Sequence, residues 1–119
     1  MSSRPTRILV EDILEAIEKM TRYIAGMEND AFAKDERTVD AVVRNLEIVG
    51  EATNRLPDNF KQQHQDIPWR KIVGLRNRIV HEYFGVDPAI VWSILQNEMP
   101  VFRSALEKIH NELSESGDG

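Results

Sequence analysis

The stretch TVDAVVRNLEIVGEATNRL, Thr38 to Leu56, decides the fold class. Val39, Val42, Leu46, Val49 and Thr53 recur through it at three- and four-residue intervals, the period of one face of an α-helix. Pro57 follows, and a proline cannot carry the hydrogen-bond ladder onward, so the helix is predicted to end at Leu56.

The same period extends to both sides. From about Thr6 to Met27, Val10, Ile13, Leu14, Ile17, Met20, Ile24 and Met27 define a first helix that Asn29-Asp30 should stop. Ala31 to Arg37 reads as a short helical turn or a loop. Past Pro57 the pattern weakens, with at most a short helix around Asn59 to Gln63. Pro68 then opens a third main helix at a position where a missing N–H costs nothing, and this helix should run to about Gly85. Asp87-Pro88 is a start signal for a last helix, with the aspartate as cap and the proline in its first turn. Ile90, Val91, Ile94, Leu95, Phe102, Leu106, Ile109 and Leu113 give that helix a continuous apolar face, and Pro100 inside it should kink it. No repeat and no strand alternation stands out. The expected fold is all-α: a four-to-five-helix up-and-down bundle, one domain over residues 1–113, followed by a flexible tail from Ser114 to Gly119.

The bulk properties agree with that and narrow the chemistry. At 119 residues and 41% hydrophobic content, the chain supports one core and not two. Cysteine is absent, which removes disulfides, thiolate metal sites and thiol nucleophiles and fits a reducing, cytoplasmic setting. No apolar run approaches the ~20 residues needed to span a bilayer, so no membrane role is expected. A net charge of -5 argues against a broad basic surface that coats nucleic acid. Yet Ile67 to His81 contains Arg70, Lys71, Arg76 and Arg78 and no acid, a positive stripe on an acidic body.

Within that stripe, Arg76-Asn77-Arg78-Ile79-Val80-His81-Glu82-Tyr83 resists a purely structural reading. Drawn as one helix at ~100° per residue, Tyr83, Ile72, Val80, Val73 and Phe84 fall within about 80° of Arg76, in the middle of an apolar face. A guanidinium there needs a carboxylate, a subunit interface or a ligand, since an unpaired buried charge costs several kcal/mol. On the same wheel Asn77 stacks with His81, and Arg76 with Tyr83. Two readings follow. Arg76 pairs with an acid such as Glu47 or Glu51 and His81 is a satisfied edge residue; or an arginine that clamps phosphate, an imidazole that titrates near neutrality, an amide and a phenol form a phosphodiester site. Arg78, Ile79 and Glu82 point away from this patch, as solvent or packing positions.

Other candidates are weaker. His64 and His110 have no ligand partner at a spacing that defines a metal site, so neither a metal nor another cofactor is expected. There is no phosphate-binding glycine loop and no Gly-x-Ser-x-Gly turn. Gly50 and Gly74 read as points of close helix contact, and Trp69 and Trp92 as core or interface anchors.

The arginine, four-residue spacer and histidine of Arg76 to His81 resemble the motif of the HEPN superfamily, and Glu82-Tyr83 extends it to the Arg-x4-His-x-Tyr form of the HepT-like toxins of MntA–HepT (type VII) toxin–antitoxin systems. The likeness also takes in residues 45–52, Ile67-Pro68-Trp69-Arg70 and Tyr83-Phe84-Gly85-Val86-Asp87. The resemblance implies a helical homodimer that joins two motifs around one cleft and acts as a metal-independent endoribonuclease on RNA. Arg76 would stabilise the scissile phosphate, His81 would transfer protons as the 2′-hydroxyl attacks to leave a cyclic phosphate, and Asn77 would orient one or the other. It further implies that Tyr83 accepts AMP from a partner MntA-like nucleotidyltransferase antitoxin, silencing the toxin. The rival expectation is a non-catalytic helical partner or scaffold of such a nucleotidyltransferase.

Overall fold

The computed structural model describes residues 4–81 and 85–116, with only the backbone described at His81 and Ser116. Eight helical segments and one small hairpin account for the described residues: α1 (Thr6–Tyr23), α2 (Asn29–Lys34), α3 (Glu36–Arg55), α4 (Asp58–Gln62), α5 (Trp69–Val73), α6 (Leu75–Ile79), β1 (Val80–His81), β2 (Gly85–Val86), α7 (Pro88–Asn97) and α8 (Met99–Ser116). The architecture is all-α, as the periodicity predicts.

The long helices form where the apolar spacing places them. Val39, Val42, Leu46, Val49 and Thr53 are all buried along α3, against Val10, Ile13, Ile17 and Met20 of α1. Asp35 starts α3 by accepting a hydrogen bond from the Thr38 N–H at 3.1 Å, which holds its carboxyl below its ordinary value. Past the end of α1, Gly26 takes a φ of 80°, a left-handed turn open to glycine without strain. Antiparallel to α1 runs α8, since His110 Nε2 meets Glu11 Oε2 at 2.7 Å while Arg103 Nη2 meets Glu18 Oε2 at 3.3 Å.

Two helices predicted to be continuous are broken. The last one is not a single kinked rod: α7 ends at Asn97, Glu98 caps it, and α8 starts anew at Met99. Pro100 thereby falls in the first turn of α8, where its missing N–H has no helical partner to lose. The predicted helix from Pro68 to Gly85 is instead α5, a break at Gly74, α6, and then an antiparallel hairpin that pairs Val80 with Val86 and His81 with Gly85. Gly85, with φ 73°, sits at the start of β2.

Aromatic contacts close the small segments onto the core. The Trp69 indole N–H lies 3.1 Å from the Lys61 carbonyl and 3.0 Å from the His64 carbonyl, tying the start of α5 to the end of α4. Its ring also meets Phe102 of α8 edge-on at 6.1 Å, while Trp92 of α7 packs on Phe32 of α2 at 5.2 Å. Both tryptophans are anchors, as expected.

Candidate active site

The short helix α6 is held by two side chains. Leu75 and Ile79 are fully buried, four residues apart on one stripe, and each burial contributes roughly 1.5–3 kcal/mol. At ~100° per residue, that stripe leaves Arg76 and Arg78 about 80° to either side of it and Asn77 opposite it. The two arginines therefore flank the buried seam in opposite directions, Arg76 toward α3 and Arg78 toward the junction of α7 and α8.

The break that creates this arrangement has a local cause. Gly74 caps α5 and opens α6; a β-carbon on it would stand 3.2 Å from the Arg70 carbonyl of the same turn. Gly74 thus serves the break between two helices and is not a contact between packed helices, which corrects the expectation for it. Gly50 does play the expected role: a β-carbon there would stand 3.3 Å from the Ile72 carbonyl and 3.4 Å from that of Val73. Close approach of α3 to the end of α5 sets where α6 begins, and so where Arg76 lies.

Arg76 is not in an apolar face. Its side chain is 73% exposed, and its Nε lies 3.5 Å from Glu47 Oε2 without a hydrogen bond. The wheel misplaced it because the wheel spanned a helix that breaks two residues before Arg76 and ends three after it. The expected acid partner is present but leaves the guanidinium open. Glu51, the other candidate, instead bridges to Arg55 at 3.2 Å on its own helix. Arg76, Glu47, Gly50, Glu51 and Val73 line a surface hollow of 230 Å³.

Arg78, expected to be a solvent or packing residue, has the more specific partner. Its Nη1 donates to Glu98 Oε1 at 2.8 Å and its Nη2 to Glu98 Oε2, a bidentate pair with side chains 31% and 24% exposed. The hydrogen bonds raise the guanidinium pKa and hold the Glu98 carboxyl below its ordinary value, against the smaller opposing effect of burial. This pair ties α6 to the point where α7 gives way to α8.

Asn77 is exposed on α6. His81 follows in β1, not on the helix, so it does not stack one turn above Asn77; its side chain lies outside the described residues. Tyr83 also lies outside them. Two features escaped the sequence reading. Glu98 carried no signal of its role. Asn45 is buried on α3 and donates to the Ala41 carbonyl at 2.9 Å, a polar group that the apolar period passes over. Among the described residues no helix is long and apolar enough to cross a membrane.

Comparison with known proteins places this geometry in context. The family described as Ribonuclease HepT-like matches residues 13–109, which include Arg76, Asn77, His81 and Tyr83. A probable ribonuclease HepT of Thermococcus cleftensis is 38% identical over 100 residues, covering 84% of this chain and 91% of its own. A putative RNase of Caldanaerobacter subterraneus subsp. tengcongensis is 37% identical over 103 residues, covering 87% of this chain and 92% of its own. No solved structure matches the chain.

Proposed function

Since this chain belongs to the Ribonuclease HepT-like family, we propose that it is a metal-independent RNA endonuclease that acts as the toxin of a toxin–antitoxin pair. The observation that carries the reading is the state of Arg76: a guanidinium open to solvent at the rim of a hollow, held by one long contact to Glu47, within a motif of ribonuclease type. An ion pair of that length and exposure contributes at most about 1 kcal/mol, so a phosphate can displace Glu47 and accept hydrogen bonds from two of the three guanidinium nitrogens.

In the proposed reaction the RNA 2′-hydroxyl loses its proton to His81 as its oxygen bonds to phosphorus. The bond from phosphorus to the 5′-oxygen breaks, and that oxygen takes a proton from an imidazolium. The products are a 2′,3′-cyclic phosphate and a free 5′-hydroxyl. Arg76 stabilises the charge that builds on the non-bridging oxygens, a contribution worth ~10²–10³ in rate for comparable single donors. Asn77 orients the phosphate or His81. One imidazole serves poorly as base and acid in the same step, so a homodimer, with two copies of the motif on one cleft, completes the site.

Silencing is proposed at Tyr83. A nucleotidyltransferase antitoxin moves AMP from a nucleoside triphosphate to the phenol oxygen, with pyrophosphate leaving. The added phosphodiester places bulk and negative charge in the motif, where it competes with the RNA backbone for Arg76. The test is cleavage of RNA by purified protein in EDTA, together with growth when the chain is expressed alone. Cleavage and growth arrest, both lost in the Arg76→Ala, His81→Ala double variant, are expected; full cleavage by that variant refutes the assignment.

A further inference from the structure

A second hollow, of 930 Å³, opens between α4, the chain that follows it and α5. It has the volume of a small-ligand site, and seven of its twelve lining residues carry polar side chains. Lys61, Arg70 and Lys71 border it, with Asp58 as the sole acid among its lining residues. None of these three cations takes part in an ion pair among the described residues, although seven of the chain's other arginines and lysines do. Lys71 also acts at longer range on the Glu98 carboxylate; three cations with no close ion pair around one concavity, on a chain of net charge -5, mark a local anion site.

The neutral lining narrows the ligand. Asn54, Gln62 and Gln65 reach the hollow with no side-chain hydrogen bond within the described protein, so each offers a free amide donor and acceptor. Pro68 and Val73, both exposed, supply apolar surface beside them. Cations for phosphate, paired donors and acceptors for a base edge, and an apolar wall for a base face are the needs of an unstacked nucleotide in a single strand. A duplex, whose bases face inward, could use only the cations.

The hollow also adjoins the proposed catalytic one. Asn54 and Val73 line both, so a strand bound at Arg76 has the basic hollow as its neighbour. The Trp69 hydrogen bonds to Lys61 and His64 fix α4 against α5, which gives the hollow rigid walls before any ligand arrives.

We propose that this hollow is a subsite for the single-stranded RNA nucleotide adjoining the scissile phosphate, with Lys61, Arg70 and Lys71 on the backbone and Asn54, Gln62 and Gln65 toward the base. The proposal rests on the endoribonuclease reading, and its test separates the two. The probe is a fluorescent 12-mer RNA methylated at every 2′-oxygen, which binds but has no attacking hydroxyl; an unmethylated copy reports cleavage. The wild-type chain should bind the probe, and the Lys61→Ala, Arg70→Ala, Lys71→Ala variant should bind it at least tenfold more weakly at 0.1 M salt. The slope of log affinity against log salt should fall by about 2, near ~0.7 for each lost phosphate contact. Because the three side chains reach solvent without ion pairs, the variant should melt with the wild type. Equal affinity and slope in the two proteins, or no binding by the wild type, overturns the subsite. Binding with the expected loss but no cleavage of the unmethylated copy leaves the subsite standing and removes the catalytic reading.

Discussion

Arg76 and Arg78 sit two residues apart on the same five-residue helix, yet one is loosely held and the other fastened. Arg76 faces α3, stands 73% exposed and meets Glu47 only at 3.5 Å. Arg78 faces the junction of α7 and α8, is 31% exposed and grips Glu98 with both terminal nitrogens. The difference follows from geometry: Leu75 and Ile79 fix the helix rotation, and the two arginines fall on either side of the seam. Charge alone does not identify a functional cation. What separates the two is whether the hydrogen-bonding capacity is already used.

The comparison breaks most visibly under charge exchange. Swapping the first pair, Arg76→Glu with Glu47→Arg, keeps opposite charges together but moves the guanidinium to α3, and should cost at least ~100-fold in RNA cleavage with the melting temperature unchanged. Swapping the second pair, Arg78→Glu with Glu98→Arg, should leave cleavage within a few-fold of wild type. A smaller effect is expected from Arg78→Ala, which strands a half-buried carboxylate and should lower unfolding free energy by about 1–2 kcal/mol in a urea titration, discounted for solvent access.

The acid side of the stability curve sharpens the contrast further. Because the Glu98 carboxyl is held below its ordinary value in the folded protein, its contribution is present above that ordinary value and is lost as pH falls through the lowered one. The gap in stability between wild type and Arg78→Ala should therefore be widest near neutrality and close as the carboxylate protonates. Smallest of all is Glu47→Gln, which should change stability by less than about 0.5 kcal/mol, because the pair that it removes is long and exposed. Its effect on cleavage should be a modest gain, measured as a lower KM.

The long helices were legible because their apolar residues repeat over several turns, and every one of Val39, Val42, Leu46, Val49 and Thr53 is buried. The candidate residues came from an arginine and histidine spacing, for which the sequence left a structural reading open beside the chemical one. Their placement was not. A helix of five residues, such as α5 or α6, leaves too short a pattern to show its own boundaries, and the break at Gly74 answers to contacts with α3 that lie far away in sequence. One continuous wheel then turned Arg76 inward and stacked His81 above Asn77. The bond between Arg78 and Glu98 joins residues twenty apart through a helix junction, and periodicity is silent on such pairs.

The central claim is that Arg76 serves the chemistry while Arg78 serves the fold. The most direct test measures the initial rate of single-stranded RNA cleavage in EDTA by Arg76→Ala and Arg78→Ala side by side, at a temperature where both are folded by circular dichroism. The account predicts a loss of ~100-fold or more for Arg76→Ala and less than fivefold for Arg78→Ala. Equal losses in the two, or an Arg76→Ala protein that cuts at the wild-type rate, would contradict it.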